Sequence, residues 1–205
     1  MAVSSLTRIT VPLATSQSAS SQGLLMPKLK FRFRATFENF GVSSDKSELT
    51  KQVQDIKRPN VSFAPFAIDV YNSKVWLQGK PEWQETSITL RDDAAGNISR
   101  LVGEQIQKQF DFAEQSSAAS GIDYKFLLRY EVLDGGNGAN TPNVLETWEL
   151  YGCQLSSVDY GDMSYGTSEA STIALTVRFD NAVQTPTGTG IGTAVGRTLG
   201  TLTTG

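Results

Sequence analysis

The sequence predicts a mainly β protein: an antiparallel β-sandwich or barrel with one flanking α-helix and an extended arm at each end. Several segments alternate apolar and polar residues with the period of two that is typical of half-buried strands, and one segment has helical spacing. The predicted strands come in two runs, with the helix between them. This order is not the regular alternation of parallel βαβ units, so we expect an antiparallel sheet.

The clearest alternation lies in residues 28–37, which we expect to form the first strand. One face carries Leu29, Phe31, Phe33, Ala35 and Phe37, and the other carries Lys28, Lys30, Arg32 and Arg34. Further strands are predicted at residues 49–57, 61–70, 74–78 and 85–91. Pro65 has no amide proton to donate, so it marks an edge or bulge position in its strand.

The helix is predicted to begin at Asn97, whose side chain can cap it, and to end before the loop at residues 116–121. Its buried stripe consists of Ile98, Leu101, Val102, Ile106, Phe110 and Ala113. Strands are then expected at residues 124–133, 144–151 and 172–181. The glycine-rich residues 134–138 allow positive φ angles, so we expect them to join two strands as a hairpin.

Both ends of the chain differ in composition from the middle. Residues 1–26 are rich in Ser and Thr without a sustained period, and residues 184–205 are mostly Gly, Thr and small apolar residues. We therefore divide the chain into an N-terminal arm (1–26), a β-domain (27–183) and a C-terminal tail (184–205). The apolar stretch near the N-terminus is short and interrupted by Pro12, so we interpret it as a mature N-terminus and not as a signal peptide.

The composition argues against an enzyme and against a cofactor or metal site. The chain has no histidine, the commonest general base and metal ligand, and its one cysteine, Cys153, permits neither an internal disulfide nor a cysteine-based zinc site. No apolar run approaches the ~20 residues that span a bilayer. The net charge of −3 argues against a protein whose main task is to grip nucleic acid.

Few of the acidic residues suggest chemistry. Asp92 and Asp93 precede the predicted helix, where carboxylates favour the positive end of the helix dipole, so we interpret them as capping residues and not as a catalytic pair. Glu82 and Glu85 flank Trp83 and are interpreted as surface residues. Residues 134–140 have the composition of a calcium loop, but no glutamate stands at the position of the bidentate ligand, so a hairpin loop is the better interpretation.

The basic face of Lys28, Lys30, Arg32 and Arg34 is the strongest charged feature, and it has two interpretations. It can be a solvated or subunit-facing side of a strand, where repeated like charge hinders unwanted edge pairing. It can instead contact a polyanion, such as DNA in a pore, or an acidic neighbour. We favour the surface or subunit-interface interpretation.

Residues 75–112 resemble the tail tube proteins of contractile-tailed bacteriophages. The resemblance is carried by Trp76-Leu77-Gln78-Gly79-Lys80-Pro81-Glu82-Trp83-Gln84 and by Ile88-Thr89-Leu90-Arg91-Asp92-Asp93, followed by the amphipathic helix. Residues 146–155 and 159–162 and the last strand agree in kind, so the resemblance covers roughly residues 29–181. The two ends of the chain have no counterpart in the family pattern.

This resemblance implies a non-enzymatic structural subunit without cofactors that forms hexameric rings. Stacked rings would make the inner tube of a contractile tail, with genomic DNA passing through the lumen without specific binding. The implied partners are other copies of the chain and the tail sheath, baseplate and tail terminator proteins, with no membrane. The implied location is the virion tail, assembled in the host cytoplasm.

Two related functions stay open: a baseplate hub or tube-initiator protein, and the tube of a related contractile injection system such as type VI secretion or a pyocin. In each case we expect contacts between subunits. The residues expected at those interfaces are Lys30, Arg32, Arg34, Trp76, Trp83, Asp92, Asp93, Asp159, Tyr160 and Asp162. The two terminal extensions are expected to clasp neighbouring subunits or rings, becoming ordered on assembly.

Overall fold

A computed structural model describes residues 27–43, 47–134, 141–186 and 191 of the chain. These residues form thirteen strands and three helices. The strands are β1 Phe33–Glu38, β2 Val53–Ile56, β3 Asn60–Phe63, β4 Phe66–Val70, β5 Ser73–Leu77, β6 Pro81–Gln84, β7 Thr86–Arg91, β8 Phe110–Asp111, β9 Ser116–Ser117, β10 Phe126–Leu133, β11 Val144–Asp159, β12 Thr172–Arg178 and β13 Asn181–Pro186. The helices are α1 Ser47–Gln52, α2 Asn97–Gln109 and α3 Gly121–Tyr124.

The chain divides into two compact units, Met1–Arg32 and Phe33–Gly205, and all of these strands and helices lie in the second. Its main element is a seven-stranded antiparallel sheet with the order β1-β10-β11-β12-β7-β2, in which β13 also pairs with β11. The mainly β, antiparallel fold predicted from the sequence is therefore confirmed. The sheet is open rather than a closed barrel, because β1 and β2 stand at its two ends.

The long strand β11 holds the two halves of this sheet together. Its first half pairs with β10 on one side and β13 on the other, and its second half pairs with β12. The register of Tyr151 with Asn181 continues in that of Gln154 with Arg178, so β12 and β13 follow one edge of β11 almost without interruption. The two halves of the sheet therefore share this strand.

The change of partners along β11 occurs at Gly152, which has a φ angle of +67°. A Cβ atom on this residue would lie 2.2 Å from the Asp180 carboxylate. That carboxylate is held by the Lys125 ammonium, whose Nζ lies 2.6 Å from Asp180 Oδ2. The position therefore requires glycine for two reasons: the left-handed backbone and the close approach of an ordered side chain.

A single apolar core joins both halves of the sheet to α1 and α2. The alternating strands supply most of it, since β10 buries every second residue and β7 buries Thr86, Ile88 and Leu90. The fully buried large side chains are Tyr130, Phe40, Phe126, Leu49, Ile88, Leu90, Ile98, Leu101, Leu128, Leu150, Ile173 and Leu175. Edge-to-face contacts of Phe40 with Phe37 and Phe126 close the core near the end of β1.

Polar side chains of α2 hold the segment that follows β1. Glu104 accepts hydrogen bonds from the Val42 and Ser43 amides and from the Ser43 hydroxyl, and these bonds, that of the hydroxyl first, keep the pKa of Glu104 below its usual value. The buried Gln105 accepts from the Gly41 amide and donates to the Tyr124 carbonyl. The polar side of this surface helix thus anchors a loop, which satisfies backbone groups that have no partner in a sheet.

Two elements near the N-terminus differ from the prediction. The first strand begins at Phe33 and not at residue 28, so Lys28, Lys30 and Arg32 lie outside it and Phe31 is largely exposed. The Arg32 guanidinium lies 5.5 Å from the centroid of the Phe31 ring, and the Arg32 amide donates to the Leu29 carbonyl in a turn. A local turn therefore replaces the alternation that the sequence pattern favoured.

The predicted strand at residues 49–57 begins as helix α1 and only its second half, β2, is extended. Helix α2 is capped by Gly96 rather than by Asn97, and it ends at Gln109. Phe110 and Ala113 are consequently exposed and do not continue the buried stripe. The helix ends because the Phe110 backbone is extended and pairs with Ser117 in the short β8–β9 hairpin.

Several predictions concern residues outside the described part of the chain: the N-terminal arm, most of the C-terminal tail and the glycine-rich turn at 135–140. The hairpin that this turn would join is present, because β10 and β11 pair and the Asp134 amide donates to the Asn143 carbonyl. Strand β13 runs across the predicted border at residues 183 and 184. None of the helices formed by the described residues is long and apolar enough to cross a membrane.

Replacing Gly152 by alanine should destabilise the β-domain by about 1–3 kcal/mol, because the residue must keep a left-handed backbone beside Asp180. The matched control is Gly103→Ala, in the middle of α2, where an added Cβ meets nothing within 4 Å. That change should stabilise by up to ~1 kcal/mol through helix propensity. Urea unfolding of both variants measures the difference, and equal effects would contradict the role given to Gly152.

Candidate self-association surface

Residues 60–84 form a two-stranded ribbon that is not hydrogen-bonded into the main sheet. This ribbon is called the arm from here on and is distinct from the extensions at the two ends of the chain. Its inner part is the pair β3–β6 and its outer part is the pair β4–β5, which ends in a two-residue turn at Tyr71-Asn72. Both ends of the arm join the main sheet at the same place, since the Lys57 amide donates to the Ser87 carbonyl. The arm is therefore a projection between β2 and β7.

A short irregular segment separates the two parts of the arm. Ala64-Pro65 interrupts one strand, and residues 78–80 interrupt the other. Gly79 passes so close to the opposite strand that a Cβ on it would lie 2.0 Å from the Ala64 carbonyl oxygen. Pro65 cannot donate to a ladder and lies in the break between β3 and β4, so the single strand predicted at residues 61–70, with Pro65 at an edge or bulge position, is instead two strands.

The outer part of the arm has one face of large apolar side chains, here called the apolar face of the arm. Cross-strand pairs place these side chains together: Phe66 opposite Leu77, and Ile68 opposite Val75, with Val70 beyond them. Their exposed fractions run from 42% for Leu77 to 51% for Phe66. The opposite face carries Trp76, 65% exposed, and the ion pair of Asp69 with Lys74 at 3.3 Å.

The stability of a single copy does not require an exposed apolar hairpin of this kind. A two-stranded hairpin is at best marginally stable in water, and it becomes stable when an apolar face is covered. Contiguous apolar side chains that no other element of the described chain covers indicate an interaction site. The apolar face of the arm is therefore the candidate functional site.

The root of the arm is anchored to the core by Trp83. Its ring lies 5.6 Å from that of Phe179, at an angle of 50°, and Val61 is its cross-strand partner. Around it runs a polar cleft lined by Lys57, Glu82, Gln84, Glu85 and Arg178. Glu85 lies 3.7 Å from Arg178 and accepts from the Ser156 hydroxyl, so these charges hold the root in place.

The polar face of the sheet half containing β1, β10 and β11 is internally charge-paired. Arg34 binds Glu131 at 2.5 Å, and Arg129 lies 3.2 Å from Glu38 and 2.8 Å from Glu149. Hydrogen bonds from the Tyr151 hydroxyl and from Arg129 keep the pKa of Glu149 below its usual value. Arg34, one of the four basic residues singled out in the sequence, is thus neutralised by its own chain.

Asp92 and Asp93 both contact the first turn of α2, Asp93 through a helix amide and Asp92 through a side chain, which agrees with the capping or loop role predicted for the pair. Asp93 accepts from the Ile98 amide at 3.1 Å and from the Asn97 side chain at 2.8 Å, and the Ile98 bond is the main reason that its pKa is lowered. Asp92 accepts from the Ser99 hydroxyl at 3.0 Å. Both carboxylates are therefore occupied by the first turn of α2.

The other residues predicted at interfaces fall into two groups along the chain. Lys30 and Arg32 belong to the first unit of the chain. Asp159 ends β11, and Tyr160 and Asp162 follow it in the exposed loop 160–171. Among the described residues, no group of His, Cys, Asp and Glu side chains is arranged to hold a metal ion.

Sequence reasoning named Trp76 but missed the five residues of the apolar face of the arm. The available signal was the alternation of Phe66, Ile68 and Val70, followed after a short turn by Val75 and Leu77. That pattern predicts a hairpin with one apolar face. It does not distinguish a face buried in the core from one that is exposed, because both have the same period.

Comparisons with known proteins place the chain by its fold alone. No family model matches the sequence, and no curated protein matches it. Among solved structures, it is similar to the tube-terminating cap of the anti-feeding prophage, with a TM-score of 0.60 and 12% identity over 84% of this chain and 99% of the other.

It is also similar to a chain of the anti-feeding prophage baseplate, with a TM-score of 0.56 and 13% identity over 80% of this chain and 98% of the other. A chain of the extended sheath–tube complex of an extracellular contractile injection system gives a TM-score of 0.53 and 15% identity over 83% of this chain and 99% of the other. These likenesses show a shared fold.

The double change Ile68→Thr/Val75→Thr should leave the free energy of unfolding of the single copy within about 0.5 kcal/mol, because surface substitutions outside special sites have small effects. The buried control Leu90→Ala should cost about 2–5 kcal/mol. Urea unfolding at low protein concentration compares the two. A large loss for the arm variant would mean that its apolar face belongs to the core.

Proposed function

We propose that this protein is a structural, non-enzymatic subunit of the inner tube of a contractile tail or injection system. The observation that carries the proposal is the apolar face of the arm, exposed on a fold shared with tube, cap and baseplate chains of such particles. Copies of the chain associate when a neighbouring copy covers that face. The arm is the connecting element and the sheet is its scaffold.

The energetics favour rings over single contacts. Full burial of a large apolar side chain stabilises by about 1.5–3 kcal/mol, so covering the half-exposed apolar face and Trp76 is worth on the order of 5–10 kcal/mol. Association costs roughly 4–15 kcal/mol, so one arm barely offsets the loss of freedom. A ring presents several arms at once. It loses its translational and rotational freedom only once but gains the contacts of all its arms, so the stacking of rings is cooperative.

In the proposed assembly, hexameric rings stack into a tube surrounded by a sheath and closed by terminator and baseplate proteins. The charge-paired sheet face suits a lumen, because its arginines, Arg34 and Arg129, are paired with three carboxylates, those of Glu131, Glu38 and Glu149, which weakens their attraction for phosphates. Genomic DNA would then pass without specific binding during ejection. Assembly in the host cytoplasm and a place in a virion tail belong to the same proposal.

A second candidate is a baseplate hub or tube initiator, and the likeness to a baseplate chain favours it. The two functions differ in the length of what forms. A tube subunit adds copies without limit, whereas an initiator stops after one ring or a few. Negative-stain electron microscopy of the purified chain distinguishes them.

The arm variant Ile68→Thr/Val75→Thr should abolish tubes or reduce their number at least tenfold at a concentration where the unchanged chain forms them. The reason is that threonine keeps the strand but removes much of the apolar area that a neighbour covers. Electron microscopy and sedimentation measure the loss. The control Ile122→Thr, at an exposed apolar residue outside the arm, should assemble normally; failure of both variants alike would contradict the role of the arm.

The triple change Lys30→Ser/Arg32→Ser/Arg34→Ser should alter assembly more than DNA affinity, since Arg34 is engaged with Glu131. Fluorescence anisotropy with labelled DNA at two salt concentrations is expected to give the same weak signal for both proteins. Salt-sensitive DNA binding that the variant loses would reverse this expectation and favour a DNA-binding role for the basic residues.

A further inference from the structure

The apolar face of the arm can be covered by a second copy only where that copy offers apolar surface of its own. We infer, granting the tube-subunit function proposed above, that the loop at residues 160–171 receives the arm of the next copy. Its large exposed side chains are Tyr160, Met163 and Tyr165. The apolar face of the arm is the donor surface and the loop is the acceptor surface, and every copy of the chain carries both.

The loop lies at the end of the sheet opposite the arm. Strand β7 leaves the arm at Thr86, which pairs with Val177, and reaches the other end at Arg91, which pairs with Thr172. The loop ends at that residue, and the Ser171 carbonyl accepts a hydrogen bond from the Asp92 amide. At about 3.3 Å per residue, the length of β7 separates the root of the arm from the loop by roughly 17 Å.

A stack that continues to grow requires the donor and acceptor surfaces to lie at opposite ends of each copy. A head-to-tail contact between two different surfaces repeats without limit, whereas a contact of one surface with itself closes at a dimer. An arm that binds the far end of its neighbour therefore adds one layer after another. The loop is placed for this geometry by the sheet itself.

The loop combines local hydrogen bonds with uncovered side chains. Asp159 accepts from the Gly161 amide at 2.9 Å, and the Ser164 hydroxyl accepts from the Gly166 amide at 3.1 Å. Met163 is 84% exposed and Tyr165 is fully exposed. These two side chains therefore have the most surface to lose from solvent when a partner binds.

The chemistry of the loop suits the apolar face of the arm. Tyrosine offers a rigid ring with a hydroxyl that can stay at the wet rim of a contact, and methionine adapts to an irregular surface. The arm presents aliphatic side chains around Phe66, with no charge on that face. The loop also carries two exposed carboxylates, Asp162 and Glu169, and the proposed contact leaves both in solvent at its rim.

The nearest competing surface is at the wrong end of the sheet. Phe110 and Phe112 form an exposed edge-to-face pair with centroids 5.1 Å apart, just beyond α2. The last residue of α2, Gln109, exchanges two hydrogen bonds with the Leu155 backbone, and Leu155 pairs with Val177 at the end where the arm begins. An arm bound there would join copies at the same level, as within a ring, and would not add a further layer.

The test is a cross-link between two differently substituted full-length chains. Tyr71→Cys, at the tip of the arm, is mixed with Tyr165→Cys in the loop and treated with a short bismaleimide. The matched control mixes Tyr71→Cys with Ile122→Cys, which is 83% exposed and lies in α3, outside both proposed surfaces. Burial raises the pKa of the native Cys153 thiol to about 12, so this cysteine stays unreactive.

We expect the first pair to give at least five times more mixed dimer than the control pair, measured by mass spectrometry of isotope-labelled chains. Equal yields, no mixed dimer, or a dominant dimer of Tyr71→Cys with itself would overturn the inference. Electron microscopy of the unchanged chain reports separately on the proposed function. If tubes form but the mixed dimer does not, the proposed function stands and the loop is excluded as the acceptor. If the mixed dimer forms but tubes do not, the loop is the acceptor and the proposed function is excluded.

Discussion

The rest of the structure depends on the change of partners along β11. One strand pairs with β10 and β13 in its first half and with β12 in its second, so it belongs to both halves of the sheet. Gly152 makes this possible because it accepts a left-handed backbone beside Asp180. The shared strand brings both halves over one core, and β7, from which the arm departs, takes its position from β12.

The sequence predicts the scaffold better than the site because of what periodicity measures. Alternation in β7 and β10 identifies residues that face the core, and the structure buries them. The same rule misplaces Phe31 and Phe110, where a turn and a short hairpin replace the expected strand and helix. Local hydrogen bonding decides those positions, and an apolar period does not record it.

The apolar face of the arm shows a deeper limit of reasoning from sequence. Its residues have the pattern of an ordinary core strand, and only the three-dimensional structure reveals that no other element of the described chain covers them. An interaction surface and a core are made of the same side chains. What separates them is whether the partner is in the same molecule, which a period cannot express.

The polar residues follow a simpler rule. Asp92 and Asp93 stand where a helix begins, and the dipole argument predicts their use correctly. Arg34 stands in a basic series, yet its behaviour is set by Glu131 on a strand far away in the chain. Charges whose partners are local can be interpreted from sequence, and charges whose partners lie across a sheet cannot.

The extended shape of the arm sets a length. The eleven residues from Asn60 to Val70 reach on the order of 35 Å when extended, less what the break at Ala64-Pro65 removes. Because Trp83 fixes the root against Phe179, this reach is measured from a rigid point. The arm therefore limits the distance to its partner, because whatever it binds must lie within that reach of the root. The same limit bounds the axial repeat of any filament built from this chain.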